Sequence, residues 1–215
     1  MKRKMLMVVN PVAGKGKIGE ELMEILQLFC EKGWLPTVLT TSAEDGQMSR
    51  LRKVAGQYDL VVCAGGDGTL SGVINALLRD GYQLPLGYLP AGTTNDFAAT
   101  LGLPRDPLEA ARIVMEGRRF HCDVGTFNGR YFSYVAAFGA FTEVVYRTSQ
   151  QAKSTLGRMA YILEAIKSIP DIRDFHITGE YDGRPIEGDY ILGMVTNATS
   201  IGGFRTSSSL EVALD

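Results

Sequence analysis

The sequence has little with which to build a disulfide framework, a histidine–cysteine metal cage or a membrane span. Its two histidines, His121 and His176, stand apart from each other and from any cysteine pair. Its three cysteines, Cys30, Cys63 and Cys122, are an odd set without paired spacing, which fits reduced, mostly buried thiols in a cytoplasm. Each histidine reads as a surface residue or a satisfied core residue. No apolar stretch is long enough to cross a bilayer as a helix. A dominant charge is also missing: 22 lysines and arginines face 24 acidic residues, for a formal net charge of −2. Bulk charge therefore gives no sign of a nucleic-acid partner. The basic start, Met1-Lys2-Arg3-Lys4, precedes an apolar run that stops at Asn10-Pro11 with no cleavage region, so a secretory signal is not expected.

What is present is ordinary globular material: 215 residues, 45% hydrophobic and 21% charged. That length supplies an ample core and allows one or two domains. The most informative stretch is Val61 to Leu70. An apolar run breaks at Gly65-Gly66-Asp67-Gly68-Thr69 and resumes with helical spacing through Val73, Ile74, Leu77 and Leu78. That pattern reads as buried strand, tight turn and helix. Amides at a helix N-terminus favour an anion, and glycine lets backbone approach it closely. Asp67 would repel a phosphate unless a divalent cation lay between them, so the turn suggests a metal–phosphate site. A turn whose glycines serve geometry alone is the competing reading.

The chain before and after repeats the pattern. Lys4–Val9 is a strand followed by the loop Asn10-Pro11-Val12-Ala13-Gly14-Lys15-Gly16-Lys17 and a helix with Leu22, Ile25, Leu26 and Phe29 on one face. That loop lacks Gly-Lys-Ser/Thr at Walker spacing, so it is not a P-loop, although Lys15 and Lys17 are placed to meet phosphates or solvent. Trp34–Thr41 is a second strand, and Thr40-Thr41-Ser42 can cap a helix through Met48, Leu51 and Val54. Leu84–Leu89 is a fourth strand. Its loop, Pro90-Ala91-Gly92-Thr93-Thr94-Asn95-Asp96-Phe97-Ala98, opens another helix. A further helix starts at Pro104-Arg105-Asp106-Pro107 and stops near Gly117. Strands alternating with helices predict an open, mostly parallel α/β sheet over residues 1–120. Ligands bind such sheets beyond the carboxyl ends of the strands. The loops at Asn10, Gly65 and Gly92 all follow strands, and their convergence on one rim points to a phosphate-bearing ligand.

Near residue 120 the pattern changes. Arg119–Thr126 and Arg130–Ala137 read as strands joined at Asn128-Gly129, and Phe175–Tyr181 and Pro185–Thr196 as strands joined at Asp182-Gly183. An amphipathic helix is expected over Gly157–Ile169 and a strand over Leu210–Leu214. Residues 121–215 are thus expected to form a β-rich second domain.

Together, Asn10-Pro11 with Gly14, Gly65-Gly66-Asp67-Gly68-Thr69, Gly92-Thr93-Thr94-Asn95-Asp96-Phe97-Ala98 and Ser200-Ile201-Gly202-Gly203-Phe204 resemble the diacylglycerol kinase catalytic-domain family. This family includes bacterial lipid kinases and sphingosine and ceramide kinases. The glycine signature is shared with nicotinamide-dinucleotide kinases and related to phosphofructokinases, and those folds are what the resemblance implies for the first domain. It further implies ATP held by Asn10, Thr40, Gly65, Gly66, Asp67, Gly68, Thr69, Leu70, Ser71, Gly92, Thr93 and Asn95. Asp67 and Asp96 are the expected catalytic carboxylates, with Mg²⁺ on Asp67 and a second metal site begun by Asp215. The implied reaction is phosphorylation of a lipid hydroxyl, most simply diacylglycerol to phosphatidic acid in phospholipid biosynthesis. Such an enzyme would be cytoplasmic and peripheral to a membrane, with a lipid partner, no nucleic acid and a homodimer left open. An enzyme resembling nicotinamide-dinucleotide kinases, another small-molecule kinase and a non-catalytic nucleotide-binding module are the alternatives. Apolar residues around Phe138–Tyr146 are candidates to rim a lipid cleft, with ordinary β-core as the competing reading. Two departures from the family stand out. Ser71-Gly72 replaces its usual Asn-Glu, and the sequence ends before its late Asp-Gly-Glu segment, so truncation is expected, with the catalytic base beyond Asp215.

Overall fold

The computed structural model describes residues 3–41, 46–119, 121–139, 173–201 and 204–205. The expected helix at 157–169, the strand at 210–214, residues 140–146, the cap at Ser42 and Asp215 lie outside the described residues. The chain divides into two compact units, Met1–Tyr134 with Asn197–Asp215, and Val135–Thr196.

The first unit is built on four parallel strands: β1 (Arg3–Val9), β2 (Trp34–Thr40), β3 (Leu60–Gly65) and β4 (Leu86–Pro90), in the order β2-β1-β3-β4. Alternation along the strands sorts their side chains into two cores. Met5, Met7, Val9, Val62, Ala64 and Leu89 pack with Ile18, Ile25 and Phe29 of α1 (Lys17–Glu31) and Ala110 and Ala111 of α5 (Pro107–Glu116). Leu6, Val8, Val61, Cys63 and Tyr88 pack with Leu51 of α2 (Gly46–Val54), with Leu70, Val73 and Leu77 of α3 (Asp67–Arg79), and with Phe97 of α4 (Asp96–Thr100). β1 and β3 are apolar on both faces because helices cover both, as a parallel sheet requires. The open parallel α/β sheet expected from the sequence is therefore present, with every strand within two residues of its expected bounds.

The register aligns the strand ends. Val9 pairs with Thr40 and precedes Asn10, whose N–H bonds Ala64 O, while Gly65 pairs with Pro90. The three glycine-bearing loops consequently leave the sheet on one rim. The chain passes from β1 outward to β2 and then back across to β3, so the topological switch falls between β1 and β3, where open α/β sheets bind ligands.

Three expected strands are corrected, two of them around the first hairpin. Of Arg119–Thr126 only β5 (Gly125–Phe127) joins a ladder, with β6 (Arg130–Phe132); Cys122 and Val124 instead pack against the second core. The run Arg130–Ala137 breaks at Ser133-Tyr134 before β7 (Val135–Gly139). The hairpin turn itself is as expected, with positive φ at Asn128 and Gly129. Its outer edge is capped by a side chain: Asn75 of α3 accepts from Tyr131 N–H at 2.9 Å and donates to Tyr131 O at 2.7 Å. The amide satisfies a backbone edge as a third strand would.

In the second unit β8 (Phe175–Tyr181) and β9 (Arg184–Tyr190) form the hairpin expected at Asp182-Gly183, and β10 (Leu192–Thr196) pairs antiparallel with β7. Ile191 separates β9 from β10, so Pro185–Thr196 is two strands rather than one. Back in the first unit, β11 (Ser200–Ile201) pairs with β12 (Phe204–Arg205). Its segment is tied to α4, with Thr199 N–H donating to Thr100 Oγ1 at 3.2 Å.

Candidate functional site

The rim loops are locked together backbone to backbone. A Cβ on Gly92 would fall 2.5 Å from Gly66 Cα and 2.7 Å from Asn95 Oδ1, and one on Gly14 would fall 2.1 Å from Ala91 O. Gly14 also has φ +53°, so its conformation and its neighbours both demand glycine. Those glycines therefore serve close approach of three loops, whatever else they serve.

Side chains complete the lock. Asn10 donates from Nδ2 to Thr69 Oγ1 at 3.1 Å, joining the β1 loop to the first turn of α3 at the switch point. Its Oδ1 accepts from Val12 N–H at 3.2 Å. Asn95, 7% exposed and with φ +53°, clamps Gly92 from both sides: Oδ1 accepts from Gly92 N–H at 2.8 Å and Nδ2 donates to Gly92 O at 3.0 Å. The Tyr88 hydroxyl lies 3.5 Å from the same Oδ1, at the outer edge of hydrogen bonding.

Asp67 is the centre of this arrangement. Asn95 stands at the N-cap of α4, but its side chain is turned to Gly92 and caps nothing. Asp67 supplies the cap from another helix. Its Oδ2 accepts from Asp96 N–H at 3.0 Å and from the Thr94 hydroxyl at 3.3 Å, and its Oδ1 accepts from Phe97 N–H at 3.1 Å. Burial raises the Asp67 pKa above the ordinary carboxylate value; the nearby Asp96 charge adds to this and the donated amide bonds oppose it. Burial likewise raises the Cys63 thiol and the Tyr88 phenol, with the Asp67 charge contributing to both, so both stay neutral beside it. Asp96 itself is 1% exposed.

The start of α3 differs from that of α4. Gly66 at its N-cap has no side chain to offer, and no side-chain cap is made. The first-turn amides of α3 are left for water or a ligand, and Gly68 is exposed. An uncapped thirteen-residue helix N-terminus at a switch point suits a phosphate.

The remaining candidate residues fall as follows. Gly65 ends β3 and packs against the Thr69 side chain. Leu70 is a core side chain, and its N–H bonds Gly66 O at 3.0 Å. Ser71 is half-buried on α3, with its carbonyl accepting from Asn75 Nδ2 at 2.9 Å. Thr93 is exposed at the tip of the β4 loop. Thr40 shares the rim at the exposed end of β2, where it pairs with Val9. Asp215 and the side chains of Lys15 and Lys17 lie outside what is described. Two further residues stand at the rim without having been singled out from the sequence: Thr94 and Arg105. Thr94 acts through a contact 27 positions away in the chain, which no local pattern encodes. Arg105 had one local signal, a cation immediately before the capping Asp106.

Interlocked glycine loops, an uncapped helix start and a buried carboxylate meet on one rim of an open parallel α/β domain. The comparisons place it more narrowly. The family model described as diacylglycerol kinase catalytic domain matches residues 4–127, and the chain belongs to that family. A diacylglycerol kinase of Bacillus subtilis (strain 168) is 38% identical over 200 residues, spanning 92% of this chain and 66% of that protein. One from Staphylococcus carnosus (strain TM300) is 33% identical over 206 residues, spanning 95% of this chain and 67% of that protein. The crystal structure of a diacylglycerol kinase from Bacillus anthracis (strain Sterne) superposes with a TM-score of 0.75 at 29% identity, covering 95% of this chain and 67% of the other. The chain thus spans about two thirds of the length of these relatives.

Proposed function

We propose that this protein acts in the ATP- and Mg²⁺-dependent phosphorylation of a lipid hydroxyl, with diacylglycerol as acceptor and phosphatidic acid as product. The observation that carries this reading is the convergence of the Asn10, Gly65 and Gly92 loops at the β1/β3 switch point, in a chain matching the diacylglycerol kinase catalytic domain. Phosphoryl transfer asks for positioning and charge neutralisation more than for covalent chemistry. The uncapped amides of α3 suit the phosphates, and Thr93 and Thr40 are hydroxyls at the same rim.

The donors present fit a largely hydrated Mg²⁺ shared with those phosphates. Asp67 uses part of its acceptor capacity on Thr94, Asp96 and Phe97, and a carboxylate has about four lone-pair sites. Mg²⁺ is commonly held by one or two carboxylates plus substrate phosphates rather than by a protein cage. Asp67 would hold the ion, and its chemistry there would be neutralisation of phosphate charge. Asp67 orients the Thr94–Phe97 segment in the same position, so one residue serves both loops. The acceptor's proton needs a positioned base. A carboxylate spent on amides and a cation is a poor one, so Asp67 is not given that role.

A lipid acceptor implies contact with a membrane surface from a cytoplasmic, peripheral position. Among the described residues no helix is long and apolar enough to cross a membrane. Incubating labelled ATP with diacylglycerol, sphingosine, ceramide and NAD tests the proposal, using the 215-residue chain and a chain extended to its relatives' length. Labelled phosphatidic acid is expected from the extended chain; labelled NADP without labelled lipid would overturn the choice of acceptor. ATP binding without turnover in both chains would leave a non-catalytic nucleotide-binding module.

A further inference from the structure

A small cavity of about 110 Å³ opens on the rim, lined by Gly14, Ala91, Gly92 and Thr93 and by Arg105 and Pro107 at the entry to α5. On one side its wall is tightly packed, because the Gly14 and Gly92 loops lie against neighbouring backbone. Among the described residues, Arg105 is the only charged one in the lining. It is exposed, and among the described residues no hydrogen bond or ion pair involves it. The adjacent Asp106 is committed to α5, where its Oδ1 accepts from Leu108 N–H at 3.1 Å and Glu109 N–H at 3.0 Å. Thr93 brings a hydroxyl that likewise has no described partner.

Size and charge together narrow the ligand. Pockets that hold drug-sized ligands run from about 300 Å³ upward, so this space does not take a nucleoside. It suits a single tetrahedral anion. A guanidinium is charged at every usable pH, and its fork matches phosphate oxygens in a bidentate way.

We infer that Arg105 and Thr93 form a subsite for one phosphoryl group, with the guanidinium as fork and the hydroxyl as a further donor. Arg105 is thereby a binding residue outside the glycine loops. The inference rests on the proposed function only for the molecule that carries the group: the phosphate chain of a nucleotide or the phosphorylated head of a lipid.

The test titrates inorganic phosphate into ¹⁵N-labelled protein at constant ionic strength and follows the amide resonances of Gly92 and Thr93. Parent, Arg105→Ala and Arg105→Lys are compared, and ATP and glycerol 3-phosphate are titrated in the same way. The parent is expected to show saturable shifts. Arg105→Ala should need about tenfold more phosphate or beyond, with Arg105→Lys between them, because lysine keeps the charge and loses the fork. Arg105 is exposed, so both variants should melt with the parent. Whichever of ATP and glycerol 3-phosphate shows the same dependence on Arg105 names the source. Equal phosphate midpoints in parent and Arg105→Ala, no saturation at Thr93, or no Arg105 dependence with either organic phosphate would overturn the inference. ATP binding with an unchanged phosphate midpoint would sink the subsite and spare the nucleotide reading. An Arg105-dependent phosphate site in a protein that binds no ATP would do the reverse.

Discussion

Replacing Asp67 with alanine should loosen α4 before it disturbs anything else. The carboxylate receives two amides and a hydroxyl from the 94–97 segment, and α4 has no cap of its own. Hydrogen bonds to a charged acceptor contribute about 1.5 kcal/mol or more each, and a lost N-cap alone costs about 1 kcal/mol. Against this stands relief from burying a carboxylate, which the raised pKa shows to be unfavourable. The balance is a loss of roughly 2 kcal/mol, or about a thirtyfold change in a local opening equilibrium. Amide hydrogen exchange at Phe97 and Asp96 reads that opening directly, without assuming that the two units unfold together. Asp67→Asn keeps one acceptor oxygen but turns an NH₂ toward a second donor, so it should fall between parent and alanine. Protection at Phe97 unchanged within threefold in Asp67→Ala would refute the cross-helix cap.

The same carboxylate gives a pH dependence. Its folded pKa lies above the ordinary 3.8, so its contribution to stability is fullest below that value and is lost as pH rises through the raised one. Denaturation of parent and Asp67→Asn across that range should show the parent gaining on the variant as the solution is acidified toward 3.8; a pH-independent difference would contradict the assignment. Gly92→Ala places a methyl 2.5 Å from Gly66 Cα and should cost about 1–3 kcal/mol, seen as a lowered melting temperature. Asn75→Ala removes both bonds to the Tyr131 peptide and should cost about 2 kcal/mol, with faster exchange at Tyr131 as the specific readout.

The parts legible in the sequence were those written in short-range periodicity. Met5, Met7 and Val9 against Leu6 and Val8 already encode a strand buried on both faces, and Ile25 and Phe29 encode the α1 stripe. Asn128-Gly129 and Asp182-Gly183 encode their turns because few other pairs accept two positive φ values. The rim was legible as well, since parallel strands must deliver their following loops to one edge. What escaped depends on partners distant in the chain. The cap on α4 comes from a residue on α3, so Asn95-Asp96 looks locally like a cap with its own side chain. Residues 121–124 have strand-like composition, but Cys122 and Val124 find the α2–α3 core instead of a ladder. Arg105 looks like a loop charge until the fold brings Gly14 and Thr93 beside it.

Calorimetric titration of the chain with ATP, with and without Mg²⁺ and with adenosine as control, tests the central claim most directly. The rim described here predicts saturable ATP binding that weakens sharply when Mg²⁺ is chelated, with adenosine binding far more weakly than ATP. No saturable heat with MgATP, or equal affinity for ATP and adenosine regardless of Mg²⁺, would contradict it.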